Sequence, residues 1–145
     1  MNSNTGPDLP RIQHELSLRV YYEDTDATGI VYHASYLKFM ERARTDWLRY
    51  LGFEQSTLTE NEDLIFVVVN LNLDYKQPAY FDEQIMVKTE LIDFGGVSLK
   101  LCQRILNRSE EIVCSGFVRI GCIDTLSWTP KRIPQEIKRR LSNVN

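Results

Sequence analysis

"IMVKTELIDFGGVSLKLCQRIL", residues 85–106, decides the fold. Ile85 to Asp93 alternates apolar with polar side chains. Val97 to Leu106 returns the same way, with Val97, Leu99, Leu101 and Ile105 on one face. A period of two marks a half-buried strand. Gly95-Gly96 between the runs is a hairpin signal. Strands joined by so short a turn run antiparallel, because a parallel pair needs a crossover of about a dozen residues.

The neighbouring segments extend the pattern. A second turn near Arg108 to Glu110 leads to another long strand, Ile112 to Ile123. Upstream, Leu64 to Tyr75 is rich in Val, Ile, Phe and Leu and reads as a strand, ended by Pro78. Leu16 to Tyr22 alternates as well, with Leu16, Leu18 and Val20 on one side. Between these two lies Ala34 to Leu51, where Tyr36, Met40, Ala43 and Trp47 recur at helical spacing. Leu37, Leu48 and Leu51 widen that stripe, and Arg42, Arg44, Asp46 and Arg49 take much of the other side. Gly52 closes the helix. Glu54 to Asp63 is a polar connection. Pro134 suits the first turn of a short helix, Gln135 to Leu141. The expected architecture is α+β, one domain over residues 1–145, with a lead-in over residues 1–14. One long helix covers one face of an antiparallel sheet.

Bulk composition sets outer limits. A chain of 145 residues, 43% hydrophobic and 26% charged, is an ordinary globular domain. A net charge of −3 argues against nucleic acid as a partner. Apolar runs fall far short of the roughly 20 residues that span a bilayer. The N-terminus shows no signal-peptide pattern, so a cytoplasmic location is expected. Cys102, Cys114 and Cys122 form no CxxC pair and read as reduced strand thiols, with no metal site signalled.

One stretch carries chemistry: "YYEDTDATGIVYHASY", residues 21–36. Read as an EF-hand loop from Asp24, it offers Ser35 where a bidentate Glu is required. Asp24 to Thr28 also resembles the DxDxT signature of haloacid dehalogenase phosphatases. That family needs a parallel sheet, which this chain's hairpins oppose. The third reading is thioester hydrolysis, which needs a base or nucleophile together with donors aimed at the carbonyl oxygen. Gly29 to His33 leads into the long helix, whose first N–H groups are unpaired and lie at the positive dipole end. Gly29 leaves room for close approach. Taken by itself, Asp26 reads more readily as a turn or capping acid.

Val20 to Leu48, "VYYEDTDATGIVYHASYLKFMERARTDWL", resembles the signature of the YbgC-type acyl-CoA thioesterases, in the 4-hydroxybenzoyl-CoA thioesterase group of hotdog-fold enzymes. Similarity continues through "FVVVNLNLDYKQPAYFDE" and "GGVSLKLCQRI", so it covers roughly Leu16 to Pro134. The resemblance implies a hotdog fold, an antiparallel sheet wrapped around one long central helix. It implies Asp26 as the catalytic carboxylate, acting as nucleophile or as general base. It further implies His33 as an active-site group, through its backbone N–H and its imidazole, and Tyr22 as a site position. A packed histidine and a core tyrosine are the plainer readings of those two residues. Gly29, Ile30 and Val31 are expected on the substrate. Asp24 reads as a local acceptor of turn N–H groups. Lys131 and Arg132 are candidates for the phosphates of coenzyme A, which is part of the substrate, so no separate cofactor is expected. Acyl-CoA or acyl carrier protein is the expected partner, and the resemblance implies a homo-oligomer, dimer or tetramer, and a link to the Tol-Pal envelope system. The alternative is a non-catalytic acyl-thioester binding module or scaffold for lipid-synthesis proteins on the same fold.

Overall fold

The structure is a computed structural model that describes residues 13–142. Five strands follow in order with three helices: β1 Gln13–Arg19, α1 Ser35–Tyr50, α2 Gln55–Glu62, β2 Leu64–Tyr75, β3 Gln84–Phe94, β4 Ser98–Leu106, β5 Ile112–Asp124 and α3 Gln135–Ser142. The sheet order is β1-β3-β4-β5-β2, and every pairing is antiparallel. This is the α+β hotdog arrangement expected above. The β3–β4 hairpin closes where Gly95 donates its N–H to Ser98 O at 2.9 Å. Neither Gly95 nor Gly96 has a positive φ, so left-handed backbone is not what places them there. An added Cβ on Gly96 would stand 3.0 Å from the end of the flexible Arg132 side chain, and one on Gly95 would meet nothing within 4 Å.

Helix α1 runs about 24 Å at 1.5 Å per residue and buries Tyr36, Phe39, Met40, Ala43, Arg44, Trp47 and Leu48 against the sheet. Its two halves enter two core clusters. The first half packs with Val20, Val31, Ile85, Val87, Ile105 and Val113. The second packs with Leu99, Leu101, Val118 and Ile120, and with Ile137 and Leu141 of α3. Between them lies a polar belt. Arg44 donates to Gln103 Oε1 at 2.9 Å, and Gln103 Nε2 donates to Met40 O and Thr89 Oγ1, both at 3.0 Å.

Several local expectations change. Arg44, expected on the solvent side, lies four residues from both Met40 and Leu48 and is buried with them. Leu37 is exposed instead of widening the stripe, and Val97 sits in the hairpin turn, half out of the core. The polar connection 54–63 contains helix α2, which buries only Leu58. Strand β1 begins and ends earlier than expected. Residues 13 and 14, assigned to the lead-in, already pair with Glu90 and Thr89, and the strand stops at Arg19 because Tyr22–Asp24 form a 3-10 turn. The remaining lead-in, residues 1–12, lies outside the described residues. His14 points inward, with Nε2 3.0 Å from Asp46 Oδ2 on α1.

Candidate active site

The segment between β1 and α1 is folded by its own backbone. Thr25 bridges Val31, Asp26 N–H donates to Ile30 O at 3.0 Å, and Gly29 N–H donates to Asp26 O at 3.1 Å. Gly29 has φ +86, a left-handed conformation that strains any residue with a Cβ. Nothing lies within 4 Å of where that Cβ would be, so the space above Gly29 is open. The segment is tied to the loop before β3: Val31 N–H donates to Ala79 O at 2.9 Å, and Ile30 bridges Tyr80.

The two acids occupy opposite environments. Asp24 is buried, accepts the Tyr21 N–H on Oδ2 at 2.9 Å, and receives Tyr32 N–H on its carbonyl at 2.8 Å. It holds the turn together, as its position suggested. Asp26 is exposed, and its Oδ1 accepts both the Thr28 N–H, at 2.8 Å, and the Thr28 hydroxyl. The hydroxyl first and the amide second hold the Asp26 carboxyl below its ordinary value, so it stays ionised.

At the start of α1, Ala34 offers no side-chain cap. Among the described residues, the N–H groups of His33 and Ala34 make no hydrogen bond, whereas those of Gly29, Val31 and Tyr32 are already taken by Asp26, Ala79 and Asp24. Donors open to a substrate oxygen in this conformation therefore include His33 and Ala34, later in the chain than Gly29 and Val31. Tyr75, near the end of β2, donates its hydroxyl to His33 O at 2.9 Å and so fixes the peptide before the helix. Neither Thr28 nor Tyr75 was singled out from the sequence. The Asp-x-Thr spacing of a side-chain-closed turn could have signalled Thr28. No local signal could have paired Tyr75 with His33 across 42 positions.

The expected site residues divide. Tyr22, Asp26, Gly29, Ile30, Val31 and His33 lie in one segment at the end of the sheet where β1 and β2 finish. Tyr22 is exposed, not in the core, and stacks on Phe81 with ring centroids 4.0 Å apart. These two rings line a depression of about 590 Å³ with Arg19 and Asp82, which Asp26 and His33 do not line. Lys131 and Arg132 follow β5, beside the start of β2, where Lys131 N–H donates to Cys122 O at 2.8 Å and Lys131 Nζ reaches Glu62 O. A 12-residue strand at about 3.3 Å per residue separates the two ends. Within one chain, the basic pair and Asp26 are not brought together. Among the described residues, no group of three or more His, Cys, Asp or Glu side chains could hold a metal ion, and no helix is long and apolar enough to cross a membrane.

Comparison with known proteins agrees with this fold. The family model of the thioesterase-like superfamily matches residues 20–141. The acyl-CoA thioesterase YbgC of Haemophilus influenzae is 45% identical over 121 residues, 83% of this chain and 88% of that protein. The YbgC thioesterase of Helicobacter pylori strain J99 is 36% identical over 134 residues, 87% of this chain and 98% of that protein. A crystal structure described as a probable thioesterase from Bartonella henselae superposes with a TM-score of 0.80 at 36% identity, over 84% of this chain and 99% of that one. The phosphatase reading, which required a parallel sheet, falls with the antiparallel one. The chain belongs to the thioesterase-like superfamily and, within it, to the YbgC acyl-CoA thioesterases.

Proposed function

We propose that this protein hydrolyses acyl-CoA thioesters to free acid and thiol, with Asp26 as the acting carboxylate. One observation supports this above others. One segment carries an exposed carboxylate held below its ordinary pKa and, seven residues on, two N–H groups without a backbone acceptor at a helix start. A thioester oxygen lying over the start of α1 would accept the N–H groups of His33 and Ala34. Asp26 takes a proton from water as the water oxygen bonds to the carbonyl carbon. The tetrahedral oxyanion collapses, the C–S bond breaks, and the leaving sulfur is protonated by the Asp26 acid or through His33. In the alternative form, the Asp26 carboxylate attacks the carbonyl and expels the thiolate, and water then hydrolyses the mixed anhydride. Either route consumes one water and returns one acid and one thiol. Coenzyme A enters as part of the substrate, and acyl carrier protein would present the same bond.

An assembly completes the picture. Strand β2 is a sheet edge with Val68 and Val69 exposed, and such edges are pairing sites. Two β2 edges paired antiparallel would set the Leu64 end of one copy beside the Tyr75 end of the other. Lys131 and Arg132 of each copy would then flank the Asp26 segment of the next, where phosphates need cations. The reading is thus of a homodimer that can pair further into a tetramer. The buried thiols of Cys114 and Cys122 favour a reducing compartment such as the cytoplasm. The Tol-Pal link belongs to this reading through family resemblance alone.

The test is free-thiol release from short, long and aromatic acyl-CoA and from acyl carrier protein. Asp26→Asn should lower kcat by about 10²–10⁴-fold, the range of one acid–base group, with an unchanged thermal midpoint. Full activity in that variant sinks the mechanism. Saturable acyl-CoA binding by the unaltered protein without thiol release would instead favour a binding module.

A further inference from the structure

We propose that Thr28 is the positioning residue for Asp26: its hydroxyl and its backbone N–H both hold Oδ1, which leaves Oδ2 as the oxygen presented to the substrate or to its water. This rests on the Asp26 reading above. Thr28 can orient another side chain because its own backbone is fixed. It lies inside the turn closed by Gly29 N–H on Asp26 O, within the Thr25–Val31 bridge. A β-branched side chain has few χ1 choices, so the hydroxyl is held where the backbone puts it. The two carboxylate oxygens thereby become inequivalent. Oδ1 accepts both Thr28 hydrogen bonds, and Oδ2 accepts neither of them.

The arrangement has a cost in basicity, because both bonds favour the ionised form. Orientation outweighs it, since a misplacement of about 1 Å at a reacting group can cost roughly 10²-fold in rate. An exposed aspartate with two free torsions would otherwise spend little time aimed at one point.

Thr28→Val keeps the shape and the backbone bond and removes only the hydroxyl. Thr28→Ser keeps the hydroxyl and removes only the methyl group. Each is compared with the unaltered protein in thiol release from acyl-CoA, giving kcat and KM separately, and in a carbon-detected NMR titration of the Asp26 carboxyl. Thr28→Val should lower kcat about 10-fold, within the range that misplacement produces, with KM little changed. It should also move the Asp26 titration to higher pH. Thr28→Ser should restore both. A Thr28→Val protein with parental kcat and an unmoved titration overturns the proposal. So does a Thr28→Ser protein as impaired as the valine variant, because the branched shape would then be what matters. Thr28→Ala supplies the same comparison if the valine variant folds poorly. Activity surviving in Asp26→Asn would overturn the Asp26 reading itself, while the titration still judges the Thr28 contact by itself.

Discussion

The two ends of α1 are built by opposite rules. At its C-terminus the carbonyls of Trp47, Leu48 and Arg49 are all hydrogen-bonded. Gly52 takes φ +100 and donates to Arg49 O at 2.9 Å, and Phe53 N–H closes back on Leu48 O at 2.9 Å. The last turns are buried under α2 and α3, with Trp47 and Leu48 almost wholly excluded from water. The N-terminus lacks a side-chain cap, leaves N–H groups unpaired, and follows an exposed carboxylate held in a turn. A helix end without its cap forgoes about 0.5–2 kcal/mol. The far end supplies the stability with which the near end can stay open.

Trp47→Ala tests this division hardest. The indole sits at the centre of the distal cluster, and its N–H has no acceptor among the described residues, so truncation costs packing alone. Loss of about 3–5 kcal/mol is expected in denaturant unfolding, with kcat per folded molecule preserved. A kcat that collapses together with stability would mean that the two ends are one unit. The polar belt between the clusters gives the next effect. Gln103→Leu should cost about 2 kcal/mol or more, because it strands the Arg44 guanidinium, the Met40 carbonyl and Thr89 without their shared partner. Adding Arg44→Met should recover part of that loss, since two apolar groups of similar shape leave less unpaired. Additive losses would show that the belt contributes no coupling.

What could be read in the sequence follows the same boundary. Helix α1 and strand β2 were legible because each repeats its period over many residues: 36, 40, 43 and 47 in one, a Val- and Ile-rich run in the other. The β3–β4 hairpin was legible from alternation around Gly95-Gly96. Helix α2 was not, because "QSTLTENE" buries one side chain and carries almost no amphipathic signal. Arg44 misled because its charge outweighed its position in the stripe; what lets it inside is Gln103, 59 residues away. In the site, the unequal roles of the two acids were legible and their burial was not. Asp24 is buried and Asp26 exposed because of turn bonds made two and three residues apart, and sequence alone does not say which acid faces the water. Lys131 and Arg132 stand out in the sequence by charge alone, and no motif tells which end of the sheet they occupy.

Two glycines allow the smallest and cleanest comparison. Gly29 and Gly52 both hold a left-handed φ, +86 and +100, and neither is crowded: a Cβ meets nothing within 4 Å at Gly29 and only the Arg140 guanidinium, at 3.7 Å or more, at Gly52. Alanine at either site therefore carries the same penalty, about 1–2 kcal/mol for a left-handed L-residue. The two positions differ in what the backbone next to them does. Around Gly52 it only terminates a helix, so Gly52→Ala should lower the thermal midpoint by a few degrees, about 3 °C per kcal/mol for a chain of this size, and leave thiol release alone. Around Gly29 the same strain relaxes through the turn that holds Asp26 and Thr28 and through the peptides leading to His33. Gly29→Ala should show a similar thermal shift and, in addition, a lower kcat. If both variants lose activity equally, the C-terminus of α1 reaches the site through the helix itself, and the separation of a stabilising end from a reacting end fails.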